Sequence, residues 1–197
     1  MTSRIVTSDA HRNMPWKNGG GTTAEIAVAP ADADFAGGRF DWRLSLASIE
    51  SDGPFSAFPG IDRTIMLVEG NGMVLTNPDN VRMVLDRPFL PQDFPGEWSV
   101  DCRLLDGPVR DLNLMANRAR VRTDWQVIVL NRKEAALAQC ATLIAHVLSG
   151  RFELDGVADR DGPVSLATAD TLIADDAQAG IRAHGTGVLF AASIVRV

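Results

Sequence analysis

Hydrophobic and polar residues alternate along most of the chain. The alternation is clearest in FDWRLSLASI at 40–49, where Phe40, Trp42, Leu44 and Leu46 share one face and Arg43 and Ser45 fall on the other. TAEIAVA at 23–29 has the same period, with Glu25 on the face opposite Ile26. Because successive side chains of a strand point to opposite faces, this period predicts β-strands. Further strands are predicted at 63–70, 81–85, 98–105, 111–116 and 125–130, and in the stretches ATLIAHVLSG, GRFELDG, VSLATADTLIA and GVLFAASIVRV.

Turn sequences such as Asn71-Gly72 and Asp155-Gly156 separate the predicted strands at short, regular intervals. Many short strands with regular turns are typical of β-sandwiches and barrels, so the predicted fold class is all-β. A similar order of apolar strand, turn and short strand occurs at 67–75 and again at 147–156. This echo indicates two similar β units in one chain.

One segment carries conflicting signals. The stretch KEAALAQC at 133–140 is rich in alanine and leucine, which favours a helix. The β-branched residues Thr142, Ile144 and Val147 that follow favour a strand. We predict a loop or one helical turn at 133–139 and a strand at 141–148.

Composition and charge exclude several functional classes. The formal net charge is −6, which argues against general nucleic-acid binding and against binding to an anionic membrane surface. No segment reaches the roughly 18 apolar residues of a membrane-spanning helix, and the N-terminus lacks the apolar core of a signal peptide. We therefore expect a cytoplasmic protein.

Cysteine and histidine are too few and too scattered for a typical metal site. The chain has two cysteines, Cys102 and Cys140, and three histidines, His11, His146 and His184. No CxxC, HxH or HExxH pattern occurs, so we predict neither a metal ion nor another cofactor. Cys102 falls on the apolar face of its predicted strand and is expected to be buried and unreactive.

A run of three glycines stands out in the stretch MPWKNGGGTTAEI, 14–26. A dinucleotide-binding loop needs GxGxxG between a strand and a helix, and a P-loop needs its lysine after the glycines. Here Lys17 precedes the glycines and a predicted strand follows them, so neither nucleotide loop fits. Two interpretations stay open: a flexible loop that enters the strand, or a backbone that passes close to a ligand or another strand.

Polar residues on strand faces provide candidate binding groups. Arg43 and Ser45 would line a pocket in a small barrel, or face solvent in a sheet packed on one side only. Arg63 follows the rigid apolar loop at 53–62, and an arginine held in this way suits bidentate binding of a carboxylate, or a surface ion pair. Asp111 and Asn113 share one face of their strand and, if buried, need each other, an arginine or a ligand as partner.

Four stretches, taken together, resemble the HutD/Ves family of small bacterial proteins. They are MPWKNGGGTTAEI, FDWRLSLASI, GPFSAFPGIDRTI and GPVRDLNLM, and they span 14–118. The resemblance implies a bicupin, meaning two cupin-like β-barrel units of jelly-roll type in one chain, and often a homodimer. It implies one bicupin domain over 1–197, with approximate halves at 1–118, which holds the pocket, and 119–197, which has no recognisable site.

The family motifs imply a set of ligand-binding residues. Their polar strand members each lie on one face of the alternation, as a polar barrel interior requires. The positions implied by the resemblance are Trp16, Lys17, Asn18, Gly19, Gly20, Thr23, Glu25, Trp42, Arg43, Ser45, Phe58, Pro59, Arg63, Asp111 and Asn113.

The resemblance implies a protein without an established enzymatic activity, linked to the regulation of histidine breakdown. We predict that it binds or senses a small anionic ligand, a dicarboxylate or an acylated amino acid such as formylglutamate. Arg43 and Arg63 would bind carboxylates and Lys17 would add a point charge. The alternative is a metal-free hydrolase or isomerase with Glu25 or Asp111 as general base and Lys17 as acid or electrophile. A structural or protein-binding role is the third possibility.

Overall fold

The structure is a computed structural model that describes residues 2–33, 39–177 and 180–197. These residues form sixteen β-strands and one 3-10 helix at Ser8–Ala10, so the predicted all-β class is confirmed. The described residues contain no helix long and apolar enough to cross a membrane. The strands are β1 (Thr2–Val6), β2 (Arg12–Pro15), β3 (Gly21–Ala29), β4 (Trp42–Ile49), β5 (Gly53–Pro54), β6 (Ile61–Glu69), β7 (Met73–Thr76), β8 (Arg82–Leu85), β9 (Gln92–Pro95), β10 (Asp101–Leu104), β11 (Val109–Asn117), β12 (Val121–Ala136), β13 (Cys140–Asp155), β14 (Val164–Ala167), β15 (Thr171–Ala177) and β16 (Arg182–Arg196).

The chain divides into two compact units. The first unit is His11–Arg120, and the second unit combines residues 2–10 with Val121–Val197. The halves predicted from the sequence, 1–118 and 119–197, differ from these units in the N-terminal segment. The reason is a long-range pairing, because β1 runs antiparallel to β15 of the second unit.

The first unit contains two antiparallel sheets. The larger has the strand order β2-β3-β4-β11-β6-β9, and the smaller has the order β5-β10-β7-β8. Buried apolar residues of both sheets form one core, so the two sheets pack face to face. The larger sheet contributes Ile49, Ile65, Leu67, Phe94 and Val109, and the smaller sheet contributes Met73, Leu75, Leu85 and Cys102.

The second unit is built on one sheet with the order β1-β15-β13-β16-β12, in which β14 also pairs with β13. Its core is apolar and includes Leu143, Phe152, Leu172 and Leu189. Among the described residues of this unit, His146 and Thr171 are the buried polar side chains, and they hydrogen bond to each other at 2.8 Å. The described interior of this unit therefore holds one buried polar pair, and the two residues are hydrogen bonded to each other.

Strand β12 corrects one prediction. It continues to Ala136, so the loop or helical turn predicted at 133–139 is wrong for residues 133–136. Pairing with β16 carries the strand across a β-bulge between Asn131 and Lys133, where Arg132 has a positive φ of 52°. This pairing overrides the local helix preference of alanine and leucine. The strand predicted at 141–148 is confirmed within β13.

Candidate functional site

Polar and charged side chains share one face of the larger sheet in the first unit. The register places Glu25 opposite Ser45, and Ser45 opposite Asn113. Opposite residues on neighbouring strands point the same way, as do residues two apart along one strand. The sheet therefore aligns six predicted site residues, all between 0% and 7% exposed: Glu25, Arg43, Ser45, Arg63, Asp111 and Asn113.

This face is the interior of the first unit. Ile65 and Leu67, which alternate with the same parity as Arg63, belong to the apolar core shared by both sheets. Trp42 and Leu44 occupy the other face of β4, as the alternation predicts, and Trp42 is therefore turned away from the polar set. The structure thus decides between the two interpretations of Arg43 and Ser45: they point inward rather than into solvent.

Glu25 binds two arginines. The Nε of Arg43 donates to Oε2 of Glu25 at 2.6 Å, and Nη2 of Arg12 donates to Oε1 at 2.6 Å. The Arg43 side chain is 5% exposed and that of Arg12 is 66% exposed. Burial lowers the pKa of Arg43, while its hydrogen bond to Glu25 raises it. Sequence reasoning missed Arg12, although it lies directly opposite Glu25 in the β2–β3 hairpin.

Arg63 sits in a cage of aromatic rings. Its guanidinium carbon lies 4.9 Å from the ring centre of Phe94, 5.4 Å from that of Phe55 and 5.8 Å from that of Phe58. These distances are within the range of cation–π contacts. Its Nε is buried and has no hydrogen-bond partner among the described residues. Burial lowers the pKa of Arg63 to about 10, opposed by Asp111 and reinforced by Arg43.

Asp111 is the most deeply buried charged group of this face, with 0% of its surface exposed. Neither of its carboxylate oxygens has a hydrogen-bond partner in the part of the chain that the structure describes, and the same holds for Oδ1 of Asn113. Burial raises the pKa of Asp111 to about 7, and the charge of Arg63 acts against that rise. A buried polar atom without a partner costs about 1–3 kcal/mol. Such atoms indicate a place for a water molecule or a ligand.

The tryptophan of the glycine-rich stretch lies at the β2–β3 hairpin. The main-chain N–H of Trp16 donates to the carbonyl of Gly21 at 2.9 Å, and its Nε1 donates to Oγ1 of Thr23 at 2.8 Å. Its ring meets that of Phe55 edge-on, with centres 6.3 Å apart. Phe55 in turn contacts Arg63. Trp16 and its hydrogen-bond partner Thr23 are therefore connected to the site indirectly, through the ring of Phe55.

The glycines allow the backbone conformation of the β2–β3 hairpin. A Cβ on Gly21 would lie 2.3 Å from the carbonyl oxygen of Ser48, so the close approach is to the neighbouring strand β4. Gly19 has a positive φ of 73°, and the N–H of Gly20 donates to Oδ1 of Asn18 at 3.1 Å. Both features are typical of a tight turn.

Four predicted site residues are exposed to solvent. Lys17, Asn18, Gly19 and Pro59 are exposed, and the first three form the tip of the hairpin. Sequence reasoning also missed Phe55 and Phe94, which complete the cage around Arg63. Phe55 lies in the same loop as the predicted residue Phe58, and this shared loop was the signal that could have identified it.

The thiols and the histidines form no metal centre. Within residues 2–33, 39–177 and 180–197, no group of three or more histidine, cysteine, aspartate or glutamate side chains is placed to hold a metal ion. The prediction that Cys102 is buried is confirmed, since it is 3% exposed. Burial, with smaller effects from Asp111 and Asp52, raises its thiol pKa to about 12. Such a thiol is a poor nucleophile and a poor metal ligand.

Comparison with known proteins shows that this chain matches a described protein family. The model of the HutD family matches residues 8–191. A 21.2 kDa protein in the hutC 3′ region of Pseudomonas putida is 40% identical over 131 residues, which cover 62% of this chain and 63% of that protein, less than two thirds of its length. Protein Ves of Cronobacter sakazakii is 37% identical over 148 residues, which cover 73% of this chain and 77% of that protein.

Solved structures share the fold over nearly the whole chain. HutD from Pseudomonas fluorescens SBW25, determined in a formate condition, is 29% identical, with a TM-score of 0.84 and 100% coverage of both chains. A conserved protein of unknown function from Pseudomonas aeruginosa PAO1 is 31% identical, with a TM-score of 0.87 over 99% of this chain and 100% of that chain. The cupin-type oxalate decarboxylase of Lactobacillus farciminis, at 7% identity and a TM-score of 0.66 over 96% of this chain and 85% of its own, shares the fold alone. The predicted bicupin class is confirmed.

Proposed function

The chain belongs to the HutD family, and we propose that its first unit binds a small organic anion in the polar interior between its two sheets. One observation carries this proposal. Arg63, Asp111 and Asn113 point to the same interior face and keep buried polar atoms without partners. In the second unit the buried polar pair His146 and Thr171 is hydrogen bonded and the core is apolar. A buried cluster of unpaired groups is costly unless a ligand or ordered water completes it.

Arg63 is the group that binds the anion. Three phenylalanine rings hold its guanidinium in place, so little side-chain entropy is lost when a carboxylate docks. Paired N–H groups of arginine match the two oxygens of a carboxylate. Arg43 has a different role from Arg63, because its Nε already donates a hydrogen bond to Glu25. The sequence-based hypothesis of two equivalent arginines is therefore revised to one anion receptor and one buried ion pair beside it.

The neighbouring groups define the rest of the ligand. The buried Oδ1 of Asn113 accepts an N–H, and Ser45 lies opposite it on β4, where its hydroxyl reads a carbonyl or formyl oxygen. A carboxylate next to an amide is the structure of an acylated amino acid. Formylglutamate fits this description, and the position of the Pseudomonas putida relative in the hutC 3′ region supports a ligand of histidine utilisation. The proposed role is to sense that ligand.

Calorimetric titration with formylglutamate, glutamate and urocanate tests the proposal. We expect formylglutamate to bind tightest, with a Kd below the millimolar range. The Arg63→Gln variant should bind about a hundredfold more weakly, because it removes the charged partner of a buried carboxylate. Lys17→Ala is the matched control, since Lys17 is exposed at the hairpin tip, and it should lose less than about tenfold, an effect that shrinks with added salt. If none of the three compounds binds below the millimolar range, the histidine-pathway ligand is wrong.

One observation favours a second candidate, a hydrolase or isomerase. A general base works best when its pKa lies near the working pH. Asp111, which is buried and has no hydrogen-bond partner among the described residues, meets that condition. Glu25 is the weaker candidate, because both of its carboxylate oxygens already accept hydrogen bonds from arginines. Turnover of a bound ligand that Asp111→Asn abolishes while binding persists would favour the enzyme over the sensor. Chromatography of formylglutamate after long incubation is the direct measurement.

A further inference from the structure

Asp111 and Arg63 are the charged residues of the site with buried atoms that have no hydrogen-bond partner among the described residues, namely both carboxylate oxygens of Asp111 and the Nε of Arg63. We infer that the first unit takes up a proton together with its ligand. When a carboxylate binds Arg63, the Asp111 carboxylate accepts one proton from solvent and, as a neutral acid, donates its O–H to an oxygen of the bound anion. This inference rests on the proposed function, and it assigns Asp111 as the residue that selects for an anionic acceptor.

A bound carboxylate would change the balance of buried charges in the site. Glu25 and Arg43 neutralise each other within the interior. Asp111 and Arg63 are two further opposite charges on this face, and they interact through space without a hydrogen bond between them. A bound carboxylate brings a third negative charge to a fully buried place. Two carboxylates that share one cation in a site of low dielectric do not both stay ionised, and the one that can accept a proton does so.

Among the described residues around Asp111, Arg63 is the cation that acts on its carboxylate. Across the sheet Asp111 lies opposite Ala47 of β4 and Leu67 of β6. Arg63 of β6 and Arg43 of β4 lie further along the same face, both opposite Met115, and Arg43 is bound to Glu25 of β3. From the opposing sheet, β10 presents the Cys102 thiol, whose raised pKa keeps it neutral. The same sheet presents the apolar side chains of Met73, Leu75 and Leu85 from β7 and β8. Arg63 is the charge that stabilises ionised Asp111, and the ligand competes for it.

The geometry also fits the neutral form. An ionised carboxylate accepts hydrogen bonds only, and both oxygens of Asp111 lack a donor. A protonated carboxyl group supplies its own donor, and a carboxylate ligand supplies the acceptor. Burial already raises the pKa of Asp111 to about 7, and the negative charge of a bound carboxylate raises it further.

The inference restricts the ligand class. A ligand that presents oxygen acceptors to Asp111 binds with proton uptake. A ligand that presents an ammonium or another cationic donor would favour ionised Asp111 and bind with proton release. The sign of the proton change therefore identifies which kind of group lies against Asp111.

The test is calorimetric titration of the full chain with formylglutamate and with formate, the simplest carboxylate, in buffers of different ionisation enthalpy. The dependence of the apparent enthalpy on the buffer gives the number of protons exchanged. We expect uptake that approaches one proton for each ligand at pH 8 and falls toward zero at pH 5.5. We expect affinity to weaken toward tenfold for each pH unit above pH 7. Asp111→Asn should bind with no proton exchange and no such pH dependence, whereas the exposed control Asp101→Asn should match the wild type.

The outcomes separate the two proposals. Binding without proton uptake, or with proton release, overturns this inference and leaves the binding site standing. Absence of binding for both compounds overturns the proposed function and the inference with it. The wild-type measurement alone decides the proton count, so the result does not depend on how well Asp111→Asn folds.

Discussion

The Nε of Arg43 lies 2.6 Å from Oε2 of Glu25, and both side chains are almost completely buried. The two residues are opposite in charge and lie on the neighbouring strands β3 and β4. A buried pair of this kind is costly to break, because removal of one partner leaves the other charge in a medium of low dielectric. Loss of either residue should therefore destabilise the first unit.

Glu25→Gln should destabilise the protein by about 3 kcal/mol, because it leaves the Arg43 charge buried without a carboxylate. Arg12→Gln is the matched control. It removes the exposed partner of the same carboxylate and should cost less than about 1 kcal/mol. Urea unfolding followed by tryptophan fluorescence gives both values. Equal losses of unfolding free energy in Glu25→Gln and Arg12→Gln would show that the buried position of Arg43 does not determine the cost of removing the Glu25 carboxylate.

Asp111 should make the protein less stable as pH rises. Its folded-state pKa, raised to about 7, lies above the ordinary value of 3.8, so the folded protein holds a proton that the unfolded chain releases. This proton favours the folded state at low pH, and its stabilising effect is lost as pH rises from about 4 through about 7. Thermal unfolding of wild type and Asp111→Asn between pH 5 and 8.5 should show the variant gaining stability relative to wild type over that range. A constant difference between the two proteins would contradict it.

Gly21 should tolerate no larger residue. An added Cβ would lie 2.3 Å from the main-chain oxygen of Ser48, so β3 and β4 would have to separate at that point. We expect Gly21→Ala to cost about 2–3 kcal/mol. Gly53→Ala provides the comparison, since its Cβ would meet no atom within 4 Å, and it should stay within about 0.5 kcal/mol of wild type. Urea unfolding curves of both variants measure the difference.

Both thiols should resist modification in the folded protein. Cys102 and Cys140 are buried, and burial raises the pKa of each. Reaction with an aromatic disulfide reagent at pH 8 should be slow in buffer and should reach two thiols per chain in denaturant. Rapid reaction of one thiol without denaturant would show that its strand opens readily.

Much of the candidate site could be predicted from alternation alone. The period of two in FDWRLSLASI separated Arg43 and Ser45 from Trp42, and the same rule grouped Asp111 with Asn113. The structure keeps each of these groupings. Lys17 marks the limit of this reasoning, because a residue in a turn has no face that periodicity can assign, and the structure places it in solvent.

The alternative local structure at 133–136 shows another limit. Alanine and leucine favour a helix in isolation, but β16 offers a row of main-chain partners from Arg182 to Gly185, and strand pairing prevails. The same kind of distant partner joins β1 to β15, across more than 160 residues of chain. Pairings of this range leave no trace in a short window of sequence.

By itself, the sequence determined that the protein is all-β and which side chains share a strand face, because alternation follows directly from the geometry of an extended chain. Only the tertiary structure decided that the polar face is the inner one, since that depends on where the second sheet packs. It also decided that Glu25 binds Arg43 while Asp111 and Arg63 keep unpaired polar atoms. Those partnerships depend on distances across strands and sheets, and such distances exist only once the chain has folded.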